Sequence, residues 1–506
     1  MRLPGPCLWL FALVPLCAPG PAAAQPAVSL PEVLGRALEG NLDLTRQGLD
    51  LAIAAARLEA ARGQFDVVLG ADGQAKQIRT PARPDLPIDF VAGTETDLSG
   101  DLKLARQLET GGQVALTLAF TRVHSDFPLT SGTLNIPGFP SSGAATASFW
   151  QVPLTLSVNQ ALWRNRGTAL ATIQVRRAAL ARDVELLRRA RTATDVVQAV
   201  VGAYWDLAYQ GRDLDIRRGA LRLAEDQLQQ TRDLIAVGRA APLDLASVEA
   251  AIADRTEQVL LGEQLLVDAS LRVRRLMGER VAPDAGPLTA AAPPAPTPRA
   301  LDPRALLERA LAQNPAVLVL RQATRLTELD LEAAENNLRP QLDFIGSFGS
   351  LGRKTGGWSS FKEAFRFEAI NWSAGLAFSL PVQNRGARGG AEAARLTLKR
   401  GRVDVADLEA ATAEGVVRLT TAVRVAARRM EVGRDGVGAA RRSLEAERAR
   451  FDTGRATNHD LLRRQEELEV ALLREARAAI DLLKAESALD ALVGELLERH
   501  GLGLRR

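Results

Sequence analysis

Three stretches of the chain alternate between apolar residues and small or polar residues, with the period of two that is typical of a β-strand. They are 114–121, 152–159 and 370–380. Each is close in length to the 9–11 residues with which a tilted strand crosses a bilayer. Aromatic residues lie near their ends, as in an interfacial girdle: Phe149, Trp150, Trp372 and Phe378. The pattern therefore predicts strands that span a membrane.

A soluble sandwich would also show alternation, so that alternative stays open. The second face of each strand is unusually small and polar, and a water-filled lumen accounts for this composition better than an ordinary protein surface does. Weaker alternating runs occupy 66–78, 98–108 and 341–351. Two segments rich in Pro, Gly and Ser, 81–93 and 126–148, are predicted to be turns or exposed loops.

Two helices are expected directly before the strands. The first covers 30–64, with Ser29 as its N-cap and Glu32 three residues later, and an apolar stripe at helical spacing. The second covers 302–338, with Asp302 as a candidate cap and Pro340 beyond its end. After each helix the period changes from about 3.6 to 2. The order of the chain is thus helix and then strands, in two places.

Two long helical hairpins follow the strands. They are predicted over 170–278 and 388–499, where Ala, Leu, Arg and Glu dominate, with tips near 238 and 454. At 1.5 Å per residue each longer arm measures about 100 Å. The helices by themselves would fit an ordinary coiled-coil hairpin equally well. The strands attached to them favour a membrane protein.

The chain repeats this plan. Asn41 recurs as Asn314 at an offset of 273 positions, together with its Ala-Leu-x-x-Asn context, and Gly238 recurs as Gly454 at an offset of 216. Such long offsets indicate two copies of one structural unit. We therefore expect a first repeat at 25–280, with strands within 65–160, and a second at 301–506, with strands at 341–351 and 369–380. A Pro- and Ala-rich linker, 281–300, joins them.

Residues 1–24 are typical of an export signal, with Arg2 before an apolar run and small residues before Gln25. A membrane anchor is the alternative, but the run is far shorter than the roughly 20 residues of a span. Both cysteines, Cys7 and Cys17, lie in this segment. The residues before Cys17 are unlike those of a lipidation site. We expect the exported chain to contain no cysteine.

No later stretch of about 18 apolar residues exists, so any membrane crossing is expected to use strands. The net charge is +4 and the pI about 9.4, with acidic and basic residues interleaved. This pattern is typical of solvated helices and argues against a nucleic-acid partner. One chain supplies about four to six strands, whereas single-chain barrels begin at about eight, so closing a barrel requires several copies.

These features resemble the TolC-like outer membrane efflux proteins, or outer membrane factors, over nearly the whole exported chain. The resemblance rests on the paired Ala-Leu-x-x-Asn helix starts, on two strand-to-helix corners and on two hairpin tips. The corners are 159–167, with Asn165 and Gly167, and 380–386, with Asn384 and Gly386. The ordered set occurs twice, which makes it specific.

The resemblance implies a mixed α and β membrane protein: a homotrimer with a twelve-stranded β-barrel in the outer membrane, continuous with a long α-helical coiled-coil barrel in the periplasm. It implies an exit duct of a tripartite efflux or type I secretion system in a Gram-negative bacterium. Its partners would be a periplasmic adaptor (membrane fusion) protein, an inner-membrane pump of the RND, ABC or MFS type and outer-membrane lipid. Neither catalysis nor a cofactor is expected.

The resemblance also assigns the tips. Gly238, Arg239 and Ala240, and Gly454, Arg455 and Ala456, are expected to dock the adaptor. Candidate gate residues are Asp460, Asp244, Phe451 and Arg455. Three inward copies of Asp460 would form a cation-favouring ring, although helix capping is an equal role for Asp460 and the favoured one for Asp244.

The family pattern is incomplete at the tips. A second acidic position is Arg463 here, the tyrosine position is Phe451 and an arginine position is Ala456, so neither a double acidic ring nor the family's closing polar network is supported. For Asn165 and Asn384 a turn-forming role is favoured over ligand contact.

Two other functions compete. An enzyme has little support, because His124, His459 and His500 are far apart and no phosphate-loop or nucleophile motif is present. A periplasmic scaffold or adaptor would use the long hairpins without a pore. Cargo, whether drugs, metal ions or polypeptide, stays open.

Overall fold

The structure is a computed structural model of the chain. It describes residues 27–80, 93–129, 143–237, 242–283, 285–291, 299, 301–453 and 455–502. The predicted signal segment, 1–24, lies outside these ranges. Contacts divide the described residues into two units. Of these residues, the helical unit takes those within 27–42, 194–303 and 417–502, and the sheet unit takes those within 43–193 and 304–416.

Each half of the chain begins with two helices, continues with strands and ends with a long helical hairpin, but the first half has four strands where the second has two strands and a helix between them. The first half contains α1 (Leu30–Gly40), α2 (Leu42–Arg62), β1 (Val67–Thr80), β2 (Gly93–Gln107), β3 (Gly112–Leu129), β4 (Gly143–Ala161), α3 (Thr168–Ala171), α4 (Ile173–Ala236) and α5 (Leu243–Leu276). The second contains α6 (Pro303–Gln313), α7 (Pro315–Asn336), β5 (Gln341–Lys354), α8 (Gly357–Arg366), β6 (Ile370–Ser379), α9 (Arg385–Asp452), α10 (Asn458–Val493) and α11 (Leu496–Arg499).

Each helix expected before the strands is two helices, divided at the asparagine of the repeated motif. Asn314 is the N-cap of α7, and its Oδ1 accepts from the backbone N–H groups of Ala316 (2.8 Å) and Val317 (3.3 Å). Pro315 supplies the first helical position, where a missing N–H costs nothing. Because the side chain satisfies the new helix's free N–H groups, the chain starts α7 instead of extending α6.

Asn41 divides the first pair in a different way. Its backbone is extended (ψ 126°), and its Nδ2 donates to the carbonyl of Leu276 at the end of α5, at 2.9 Å. Gly40 allows this approach, since a Cβ there would lie 2.3 Å from the carbonyl oxygen of Met277. The predicted N-cap, Ser29, precedes α1 but makes no capping hydrogen bond with its side chain.

The six strands form one antiparallel sheet in the order β1-β2-β3-β4-β5-β6. A twelve-stranded barrel made by three chains would need four strands from each, so the strand number implied by the resemblance does not match this sheet. The difference is the hairpin β2–β3, which pairs between β1 and β4. Parts of the second expected loop, 126–129 and 143–148, belong to strands, and 81–92 and 130–142 lie outside the described residues.

The hairpin helices of the helical unit pack through a core of Val, Leu and Ala side chains. Fully buried members include Val200, Leu207, Leu482 and Leu489. Tyr204 is buried beside them, and its hydroxyl donates to the carbonyl of Val28 at 3.1 Å. Burial raises the pKa of this phenol.

The expected linker is structured at its centre. Val28 and Ala290 form an isolated parallel bridge, and Leu288 is buried. The backbone N–H of Leu288 donates to Ser270 Oγ on α5 at 2.8 Å. Residues 285–291, within the segment predicted to link the repeats, are therefore held against the helical unit.

Candidate functional site

The sheet has one continuous apolar face. Cross-strand register places six large side chains in a single row: Leu69, Leu104, Leu116, Leu156, Phe348 and Trp372. All six are exposed, from 40% at Leu156 to 75% at Trp372. An exposed row of this many apolar side chains is typical of a surface that contacts lipid or another protein.

The opposite face of the sheet is small and polar. A neighbouring row holds Gly70, Lys103, Thr117, Thr155, Gly349 and Asn371. On the same face the hydroxyls of Ser347 and Ser373 lie 2.8 Å apart, and Ser157 Oγ donates to the carbonyl of Ala115. Side chains of this kind can face a water-filled space, so the sheet separates an apolar side from a wettable side.

Helix α8, which the alternation pattern did not indicate, packs on the apolar face across β4 and β5. Gly352 makes this possible, because a Cβ there would lie 1.8 Å from the carbonyl oxygen of Ser360. Ser360 Oγ accepts from the backbone N–H of Lys354 (2.8 Å) and donates to the carbonyl of Trp150 (3.1 Å). Phe361 stacks on Phe120 with ring centroids 6.2 Å apart.

The two strand-to-helix corners use asparagine in the left-handed region. Asn165 has φ 63° and Asn384 has φ 43°, and Gly167 follows the first corner with φ 90°. Asn336 Nδ2 donates to Asn165 Oδ1 at 2.6 Å, and Asn336 Oδ1 accepts from the backbone N–H of Asn165 at 3.2 Å. Asn384 Nδ2 donates over a longer distance, to the carbonyl of Leu338 at 3.4 Å. These contacts give the corner asparagines a turn-forming role. Gly386 lies in the first turn of α9.

Asp460 caps α10 in a reciprocal arrangement with Thr457. Thr457 is the N-cap, and its Oγ1 accepts from the backbone N–H of Asp460 at 3.2 Å. Asp460 Oδ2 accepts from the backbone N–H of Thr457 (3.1 Å) and from its hydroxyl (2.7 Å). The hydrogen bonds from Thr457 hold the pKa of the Asp460 carboxyl below its usual value. The carboxylate is exposed, so capping leaves it open to solvent.

Only some of the remaining tip residues belong to the described ranges. Gly238, Arg239, Ala240 and Gly454 lie outside the described residues, and Asp244 is described only as a position in the first turn of α5. Phe451 is half-buried at the end of α9, Arg455 is exposed and Ala456 is half-buried. The backbone N–H of Arg455 donates to the carbonyl of Arg450 at 2.8 Å and so closes the end of α9.

The tip contains a buried residue that the sequence did not single out. Asn458, at the first position of α10, is only 6% exposed. Its Oδ1 accepts from Gln227 Nε2 (2.7 Å) and from Thr231 Oγ1 (3.3 Å), both on α4. Since Asn458 follows the N-cap directly, this pair of bonds fastens the start of α10 to the first hairpin. The only sequence signal was a polar residue at an apolar position of the helix.

A charged layer lies between the hairpins beyond Asn458. Arg255 on α5 is buried, and its Nη1 donates to the carbonyl of Ala220 (2.8 Å) and to Gln465 Oε1 (3.1 Å). Burial lowers the pKa of Arg255 and raises that of Glu469 on α10, while the opposite charges of the two groups counteract both shifts. The hairpins are thus joined by polar contacts as well as by apolar packing.

Neither a metal cluster nor a spanning helix is found in the described ranges. No group of three or more His, Cys, Asp or Glu side chains there is placed to hold a metal ion. Within the same ranges, no helix combines the length and apolarity that a membrane crossing requires. His459 is exposed beside Asp460, whereas burial lowers the pKa of His500.

Part of the chain matches a known protein family. Residues 306–495 match the outer membrane efflux protein family. The resemblance predicted from the sequence is confirmed by this match and by the solved structures described next. Comparison with curated proteins gives no match.

Similar solved structures include outer-membrane channels and an outer membrane protein. The outer-membrane channel OprN is 17% identical with a TM-score of 0.66, over 92% of this chain and 90% of that one. VceC from Vibrio cholerae is 14% identical (TM-score 0.64, 92% and 96% covered), and the CmeC channel of Campylobacter jejuni is 14% identical (0.62, 92% and 86%). At these identities the likeness is one of fold.

Proposed function

We propose that this chain is the outer-membrane exit duct of a tripartite efflux or type I secretion system, which conducts substrates passively from an inner-membrane pump across the periplasm and the outer membrane. Three copies would form a β-barrel continuous with a coiled-coil barrel. The proposal adopts the signal segment 1–24, the two repeats 25–280 and 301–506 and the linker 281–300 as the domain plan.

The observation that carries the proposal is the two-faced sheet. An exposed apolar row from Leu69 to Trp372 suits lipid, and the small and polar row from Gly70 to Asn371 suits an aqueous lumen. A soluble scaffold built on the same hairpins would gain nothing from such an apolar face, and its exposure would favour aggregation. The family match over 306–495 supports the same conclusion.

The partners follow from the proposed position of the tips. A periplasmic adaptor would dock at Gly238, Arg239, Ala240, Gly454, Arg455 and Ala456. An inner-membrane pump of the RND, ABC or MFS type would supply the energy. The duct itself would need no cofactor and catalyse no reaction.

Asp460 is proposed to serve two purposes at once. Its Oδ2 is used by the cap, and the exposed carboxylate carries its charge at neutral pH, as an aspartate with an ordinary pKa also would. Three copies near a common axis would make a ring that favours cations and opposes anions. The narrow end of the duct, at the helical tips, would also contain Phe451, Arg455 and Asp244.

Single-particle imaging of the detergent-extracted membrane fraction tests the proposal. We expect threefold particles with a detergent belt around a β-barrel and a long helical barrel at one end. Soluble monomers or dimers that need no detergent would overturn the duct and favour a periplasmic scaffold.

A further inference from the structure

The sheet ends in two unpaired edges. Among the residues that the structure describes, β1 is hydrogen-bonded only to β2, and β6 only to β5. The ten residues of β6 are exposed throughout and include neither proline nor a charged side chain. Soluble proteins protect edge strands with such residues, and open edges are not tolerated in lipid. The two edges therefore require a partner.

We propose that the free edge of β1 pairs antiparallel with the free edge of β6 from a second copy of this chain, and that each copy contributes all six strands to the closed sheet. In the trimer, on whose existence this inference rests, the barrel would have eighteen strands instead of twelve. Six strands cannot close alone, since single-chain barrels begin at about eight.

The geometry of the edges suits this pairing. Five successive antiparallel pairings make β1 and β6 antiparallel to each other, so an unflipped neighbour presents its β6 to β1 in the antiparallel sense. Leu69 on β1 and Trp372 on β6 belong to one apolar row. A neighbour placed head to tail therefore continues both the apolar face and the polar face across the new junction.

A twofold pairing of like edges fits less well. β1 and β5 start, and β4 and β6 end, at the same border of the sheet, and the helices leave from that border. Pairing β1 with β1 about a twofold axis would invert one copy and place helices at both borders. A head-to-tail contact keeps all copies in one orientation and closes as a ring.

The extra hairpin, β2–β3, is an integral part of the sheet. Its turn, at 108–111, is closed by the Leu108 N–H, which donates to the carbonyl of Gly112 at 2.7 Å, and Gly111 takes φ 88°. Thr110 Oγ1 donates to Gln160 Oε1 at 3.0 Å, and the Gly167 N–H donates to the Thr110 carbonyl at 3.1 Å. These bonds tie the turn of β2–β3 to the corner after β4.

The apolar face of the hairpin also matches its neighbours. Leu104 lies opposite Leu69 on β1 and Leu116 on β3, and Leu102 lies opposite Leu118. A hairpin folded out of the sheet would lose this alignment and would leave β1 and β4 to pair directly. Because barrel diameter grows roughly in proportion to strand number, eighteen strands would give a barrel about one and a half times as wide as twelve.

Cysteine cross-linking tests the edge pairing, because no cysteine follows Cys17 in the sequence. Four double variants combine Asp72→Cys or Gln74→Cys on β1 with Ser373→Cys or Gly375→Cys on β6, all on the polar face. A disulfide needs Cβ atoms about 3.5–4.5 Å apart, so the grid allows for the register. After mild oxidation in membranes, at least one pair should give covalent dimers and trimers on a non-reducing gel.

The matched control pairs Asp101→Cys on β2 with Ser373→Cys, which should give no intermolecular product because β2 lies inside the sheet. If membrane trimers form and no β1–β6 pair cross-links, or if the β2–β6 control does, the inference is wrong. Imaging of the unmodified trimer separates the two proposals: eighteen strands support the inference, twelve overturn it and leave the duct intact, and the absence of any membrane ring overturns the duct itself.

Discussion

Thr457 and Asp460 hold each other at the start of α10, with three hydrogen bonds of 2.7–3.2 Å between their side chains and backbones. The carboxylate of Asp460 is also the group proposed to give the narrow end of the duct its negative charge. Capping and gating can therefore be separated by changing each partner in turn.

Asp460→Asn should lower cation selectivity in bilayer recordings, because it removes three carboxylates from the ring. Thr457→Ala should leave selectivity close to that of the unmodified protein, since it keeps the charge and removes only the capping hydroxyl. Loss of an N-cap hydroxyl costs about 1 kcal/mol of helix stability. Equal selectivity in all three proteins would leave Asp460 with the capping role alone.

Acid should weaken the same cap. The pKa of Asp460 is lowered in the folded protein, so its contribution is complete above the usual aspartate pKa of about 4 and is lost as the pH falls through the lower folded value. Hydrogen exchange of 458–463, corrected for the intrinsic pH dependence, should show protection falling in that window. Asp460→Asn should remove the pH dependence, and its persistence in that variant would assign it to another group.

Asn458→Ala should destabilise the helical unit by about 1–3 kcal/mol, because the side-chain amide of Gln227 would lose its buried acceptor, whereas the Thr231 hydroxyl keeps the carbonyl of Gln227 at 2.8 Å. The adjacent His459 is exposed, so His459→Ala is a matched control that should change stability little. Denaturant unfolding followed by hydrogen exchange at the tip would compare them. Similar effects from both variants would contradict the fastening role of Asn458.

Leu376→Arg should block assembly in the membrane, since it places a charge in the middle of the exposed apolar face of β6. Arg at a bilayer midplane costs about 2–4 kcal/mol per copy. Ser373→Arg, on the polar face of the same strand, should be tolerated better. Trimers measured on semi-native gels of the membrane fraction would decide, and equal yields would argue against lipid on that face.

The two corner asparagines should differ in their response to glycine. Asn384→Ala should cost about 1–2 kcal/mol because alanine is disfavoured at positive φ, whereas Asn384→Gly should be nearly neutral. At Asn165, glycine should relieve the backbone but lose the bond that Asn336 Nδ2 donates to the Asn165 side chain, while the bond from the Asn165 backbone N–H to Asn336 Oδ1 is kept. Thermal unfolding of the three variants tests this contrast, and a harmful Asn384→Gly would show that its side chain does more than form the turn.

The strands with clear alternation could be predicted because their apolar residues fall on one face without interruption. β1 and β2 gave weaker signals, because Gly73, Gln77 and Gly100 interrupt their apolar face. The break at Asn314 had a local signal in Pro315. The break at Asn41 had no proline beside it and depends on Leu276, more than 200 positions away.

The candidate site shows the same limit. Thr457 and Asp460 are three positions apart, so their capping pair is a local property of the sequence. The bonds of Asn458 with Gln227 and Thr231 join distant segments and could be seen only in the structure. The tip residues assigned by resemblance, including Arg455 and Gly454, stay predictions.

Helix α8 packs closely on Gly352 and therefore changes which residues of the sheet unit could contact a bilayer. The helix hides Val152 completely, while Trp358 and Phe365 on α8 remain exposed at 67% and 48%. In the proposed duct, lipid at this place would touch the rings of a helix lying on the strands instead of the strands themselves. Each copy would then present one aromatic helix to the lipid, and the outer surface of the trimer would project further into the bilayer at three places than elsewhere.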